Sequence, residues 1–92
     1  MPKILIVEDD NTVLNCILTI LKRNGYRCVY ASCFHSALDS VLQDKPDLIL
    51  LDADLSDKKG RLLCVNLKRS PRTRNIPVIF LSAMNNPRCV DK

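Results

Sequence analysis

The 92-residue chain has two glycines, one histidine and no tryptophan, with only two tyrosines and two phenylalanines. With glycine confined to Gly25 and Gly60, no glycine-rich loop can cradle a nucleotide's phosphates, which argues against a nucleotide-binding enzyme. The single histidine, His35, has no ligand-spaced partner, so a surface or helix-capping role is expected rather than catalysis or zinc binding. Cysteine is present five times, at Cys16, Cys28, Cys33, Cys64 and Cys89, but in an odd count and with no C-x-x-C pair. Most of these sit inside apolar patterns, as reduced core or half-buried thiols do, and neither a disulfide framework nor a metal cluster is expected. No apolar run approaches the roughly 20 residues of a membrane span. The run from Ile4 to Val7 is too short for a secretion-signal core, and a cytoplasmic location is the expectation.

What is there describes one small globular domain over residues 1–92, with 47% hydrophobic and 26% charged content. The formal charge is +4, yet six of the ten carboxylates fall in two short stretches, Glu8-Asp9-Asp10 and Asp52, Asp54 and Asp57. The bases gather elsewhere, most densely at Lys68, Arg69, Arg72 and Arg74. That patch has no aromatic interleaving, so a solvated helix end and loop is expected and nucleic-acid binding through this domain is not.

Strand-like and helix-like segments alternate, the pattern of βαβ units around a parallel sheet. Strands are expected over Lys3 to Glu8, Tyr26 to Ala31, Asp47 to Asp52 and Ile76 to Ser82. Helices are expected from an Asp10 or Asn11 cap to about Asn24, from Phe34 to about Gln43, and from Gly60 to about Arg69. In the first helix the apolar positions Val13, Leu14, Ile17, Leu18 and Leu21 follow the helical period and Gly25 stops it, while the second turns Ala37, Leu38, Val41 and Leu42 inward.

Three of the strands run into polar residues: Glu8-Asp9-Asp10, Asp52-Ala53-Asp54 and Ser82-Ala83. In an open parallel sheet all carboxyl ends lie along one edge, where ligands bind, so these residues should converge. Two carboxylates about 4 Å apart repel by about 4 kcal/mol at an effective dielectric near 20, and a hard divalent cation removes that penalty. Mg²⁺ fits, because it accepts one or two carboxylates and keeps positions open for water and phosphate oxygens. The alternative is that the acids are solvated strand ends and helix caps; Asp10 taken alone reads as a cap.

The stretches "ILIVEDD", "PDLILLDADLSDKKG" and "IPVIFLSA" resemble, in order and spacing, the receiver domain of two-component response regulators, from Lys3 to Ala83. The stretch "LCVNLKRSPRTRNIPVIFLSA" is similar to receivers joined to nucleotide cyclase or kinase output modules. The resemblance implies an α/β, flavodoxin-like fold with strand order 2-1-3-4, here without the family's fifth strand and fifth helix. It implies a phosphorelay role, with Asp52 as phosphoacceptor from a sensor histidine kinase rather than a turnover enzyme. Asp9 and Asp52 would ligate Mg²⁺ directly, Glu8 through water, and Asp54 through its main-chain carbonyl. Ser82 would hydrogen-bond a phosphoryl oxygen and act in the switch.

The chain departs from the family pattern at Ser56, where proline is usual, at Lys59, where an acid often precedes the glycine, and at Phe34, where glycine is common. It stops at Lys92, before the fifth-strand lysine that pairs with the phosphoryl group, so slower phosphorylation with Mg²⁺ binding retained is expected. An open fourth strand and an uncovered first-helix face, around Val13, Ile17, Ile20 and Leu21, would recruit a second copy or a partner segment. Two other readings stay open: a receiver-like interaction module that works without phosphorylation, and a flavodoxin-like small-molecule binder or enzyme.

Overall fold

The computed structural model describes residues 2–52, 55 and 58–81. Four strands, β1 (Lys3–Val7), β2 (Arg27–Ala31), β3 (Leu48–Leu51) and β4 (Val78–Phe80), alternate with helices α1 (Asn11–Arg23), α2 (Phe34–Asp44) and α3 (Gly60–Arg69). The sheet is parallel in the order β2-β1-β3-β4, as expected. Helix α3 coincides with its expected span, and the other elements are shifted by a single residue at one or both ends. The exception is β4: pairing begins two residues later than the apolar pattern does, because Pro77 has no N–H to give a ladder. The expected far end of β4, Ser82, lies outside the described residues.

Alternation along β1 divides the core. Leu5 and Val7 pack with Ile49, Leu51, Ala37, Val41, Leu63 and Leu67 on the α2/α3 face. Ile4 and Ile6 pack with Leu14 and Ile17 of α1 on the other. A central strand covered on both faces must be apolar at every position, which is why β1 reads as an unbroken run. The half-burial of Leu48 and Leu50, on the α1 side of β3, shows that α1 covers that face only in part.

Helix α1 starts where expected, with Asp10 accepting from the amides of Thr12 and Val13 at 2.8 and 3.2 Å. It ends in a Schellman turn: Gly25, at φ 85°, donates to the Lys22 carbonyl and Tyr26 to that of Leu21, both at 3.1 Å. Two expectations for helix faces are corrected. Ile17 is buried against β1 rather than uncovered, and the exposed apolar residue of α1 is Ile20. Leu42 is 51% exposed rather than inward, because α2 aims Ala37 and Val41 at the sheet and Leu42 falls one step off that stripe. At the sheet edge, Ile79 and Phe80 are also exposed.

Cys16, Cys28, Cys33 and Cys64 are free thiols, Cys16 exposed and the others half-buried. Burial pushes the Cys28 thiol above its ordinary pKa, against the opposing charge of Lys22, so it stays protonated at neutral pH. His35 sits on the surface, 3.6 Å from Asp39 one turn along α2. No helix among the described residues is long and apolar enough to cross a membrane.

Leu63, fully buried among α2 and the sheet, and its neighbour Leu62, 47% exposed, give a direct check on the packing. Leu63→Ala is expected to cost about 2–5 kcal/mol in chemical denaturation, and Leu62→Ala under about 0.5 kcal/mol. Equal losses would mean that α3 does not pack by the face described.

Candidate functional site

The parallel register of β1 and β3 pairs Val7 with Leu51, which brings the residues that follow, Glu8 and Asp52, to the same edge. The Asp52 amide donates to the Val7 carbonyl at 2.9 Å, and the Glu8 amide to that of Ala31 at 3.0 Å, so both chain exits are held by the backbone. The result is a cluster in which one carboxylate oxygen each of Glu8, Asp9 and Asp52 lies within 4.8 Å of the others. Glu8 and Asp52 are buried, at 1% and 2% exposure, and Asp9 is half-buried. Solvent therefore screens this concentration of charge poorly, and a cluster of oxygen donors without nitrogen or sulfur suits a hard cation.

Asp10 stands apart from this arrangement. Its side chain caps α1, and its amide donates to Glu8 Oε2 at 3.2 Å, which orients the glutamate from behind. One acidic run thus serves two purposes: Glu8 and Asp9 face the cluster, and Asp10 begins the helix. Of the other residues expected in the site, Asp54 and Ser82 lie outside the described residues. Leu81, just before Ser82, donates its amide to the Leu51 carbonyl at 2.8 Å, so the chain leaving β4 runs beside the end of β3, next to Asp52.

Lys58 and Lys59, just before α3, differ. Lys58 adopts a left-handed conformation, φ 60°, in a turn closed by its amide on the Leu55 carbonyl at 2.8 Å. Lys59 places its ammonium 5.6 Å from the centre of the Phe34 ring, linking the start of α3 to the start of α2. A cation over an aromatic ring contributes about 0.5–1 kcal/mol at an exposed position. The sequence marks Phe34 and Lys59 as separate departures from the family pattern; their contact joins residues 25 positions apart and leaves no local signal.

The sequence matches the family described as "Response regulator receiver domain" over residues 4–92. The chain belongs to the response regulator receiver family. This receiver domain is 38% identical over 81 residues to the phosphate regulon transcriptional regulatory protein PhoB of Escherichia coli, a match over 88% of this chain but only 35% of that protein. It therefore spans about a third of the length of the curated relatives it resembles. Among solved structures, the signal receiver domain of a signal transduction histidine kinase from Syntrophus aciditrophicus superposes with a TM-score of 0.84 at 35% identity, over 99% of this chain and 69% of that one. The Mn²⁺-bound form of response regulator Rcp1 superposes with a TM-score of 0.81 at 27% identity, covering 99% of this chain and 72% of that one. The receiver assignment displaces the reading as a flavodoxin-like small-molecule binder.

Proposed function

We propose that this receiver domain takes up a phosphoryl group on the Asp52 carboxylate from a phosphohistidine of a partner histidine kinase. The observation that carries the reading is the convergence of Glu8, Asp9 and Asp52 within 4.8 Å at the carboxyl edge of a parallel sheet. A carboxylate oxygen of Asp52 attacks phosphorus, the P–N bond breaks with its electron pair leaving on the imidazole nitrogen, and an acyl phosphate forms on the aspartate. Such transfer depends on positioning and charge neutralisation more than on further covalent chemistry, and the backbone-held exit of β3 supplies the positioning.

The residues that would hold Mg²⁺ are Asp9 and Asp52 directly, Glu8 through water, and Asp54 through its carbonyl. When bound, the cation offsets the charge that the carboxylates and the phosphoryl oxygens bring together. The Ser82 hydroxyl would donate to a phosphoryl oxygen; the course of the chain at Leu81, beside β3, supports that role. A kinase partner accords with the neighbour from Syntrophus aciditrophicus, a signal receiver domain of a signal transduction histidine kinase, and a cytoplasmic setting belongs to the same reading.

Incubation with a small-molecule phosphodonor and Mg²⁺ is expected to give a hydroxylamine-labile phosphate on the wild-type chain and none on Asp52→Asn. Beryllofluoride should bind only with Mg²⁺ present. Labelling that persists in Asp52→Asn would move the acceptor elsewhere. Absence of any labelling, together with partner binding indifferent to Asp52→Asn, would favour the phosphorylation-independent interaction module.

The exposed Ile79 and Phe80 on β4, together with Ile20 on α1, support a second element of the proposal: a second copy or a partner segment pairs along one of these surfaces. Multi-angle light scattering at micromolar concentration is expected to show more than the mass of one chain. A stable monomer ends the self-pairing version.

A further inference from the structure

At the opposite edge of the sheet from Asp52, the C-terminal end of α2 and the connection from α3 to β4 enclose a groove. One part of it, about 430 Å³, is lined by Val41, Leu42, Lys45, Arg72 and Ile76, among others. A second hollow of about 240 Å³ shares Val41 and Leu42 and extends to Leu38 on α2 and Leu67 on α3. The floor is aliphatic, and Leu42, the residue that α2 turns away from the sheet, stands half-exposed within it. The rim is cationic: Lys45 and Arg72 flank the larger hollow, with Arg69, Arg74 and Lys68 close by in sequence. Among the described residues, no acidic side chain lines either hollow and neither Lys45 nor Arg72 forms an ion pair.

Two features show that the groove is held in shape. Thr73 is buried, and its hydroxyl donates to the Leu67 carbonyl at 2.6 Å. Lys68 Nζ donates to the carbonyls of Arg74 and Ile76 at 3.3 and 3.2 Å, fastening the α3–β4 connection to the end of α3. A third feature concerns the rim itself. Lys45 ends α2 in the left-handed conformation, φ 48°, a position that glycine fills without strain. A side chain and a charge stand there in spite of that conformational cost, an outlier of the kind that gathers at functional surfaces.

We propose that this groove docks an acidic protein segment that places an aliphatic side chain on Leu42 and its carboxylates on Lys45 and Arg72. An amphipathic helix carrying leucine on one face and glutamate beside it has this chemistry. The aliphatic floor supplies affinity through burial, and the rim cations select the acidic partner and its register. Nucleic acid is the poorer fit, because no aromatic side chain among the described residues lines the groove for bases to stack on. β3 separates the groove from Asp52 by four strand residues, roughly 13 Å. Docking therefore leaves the acidic cluster accessible and does not depend on phosphorylation.

The test is a titration of the isotopically labelled chain, followed by amide chemical shifts, with a synthetic leucine–glutamate helix of about four turns. Its counterpart with lysine in place of every glutamate serves as the control. The acidic peptide is expected to shift the amides of Leu42, Lys45, Thr73 and Ile76 equally in wild type and Asp52→Asn. The double variant Lys45→Glu/Arg72→Glu should bind it at least about ten-fold more weakly and should gain binding of the lysine peptide, which an unfolded variant would not do. Leu42→Ser should weaken both pairings. Undiminished binding of the acidic peptide by the double variant, shifts confined to other faces, or tighter binding of a single-stranded oligonucleotide at these residues would overturn the proposal.

Discussion

The register between β1 and β3 is the constraint on which the rest depends. Pairing Val7 with Leu51 leaves no choice about where the next residues emerge, and both strands continue directly into carboxylates. Three such groups within 4.8 Å, two of them buried, repel one another in a region where water screens poorly. Packing must hold the strand ends against that repulsion. It does so by burying Leu5, Val7, Ile49 and Leu51 on one face and Ile4 and Ile6 on the other, so a slip by one residue would turn every one of these to the wrong side.

Stability and function therefore pull in opposite directions at one edge of the sheet. A cation or a phosphoryl–cation pair bound at the acidic cluster offsets its like charges, so ligand binding there feeds directly into the fold. The far edge has no such tension. There α1 and α3 end in basic residues, Lys45 caps α2 beside an aliphatic groove, and hydrogen bonds from Thr73 and Lys68 fix the connection into β4. The two edges can consequently change partners independently.

Much of this was legible in the residues themselves. Continuous apolar runs for strands buried on both faces, the helical period of α1 and α2, the Asp10 cap and the Gly25 stop are local signals, and each is found where the sequence places it. The meeting of Glu8, Asp9 and Asp52 follows from topology once the strands are parallel. The misjudged positions were those decided by tertiary geometry. Ile17 against Ile20, and Val41 against Leu42, differ by a small rotation of the helix on the sheet, which hydrophobicity alone does not fix. The ring contact between Lys59 and Phe34 and the groove beside Lys45 join segments distant in sequence, and the left-handed backbone at Lys45 leaves no glycine to mark it.

The most direct measurement of the central claim, that the β1–β3 register builds one cation site from Glu8, Asp9 and Asp52, is paramagnetic broadening of backbone amides by substoichiometric Mn²⁺. The account predicts that broadening is steepest at residues 8–10 and 51–52, falls off toward the far edge of the sheet at Lys45 and Arg27, and is reversed by excess Mg²⁺. Broadening centred elsewhere, or none at residues 8–10 and 51–52, would contradict it.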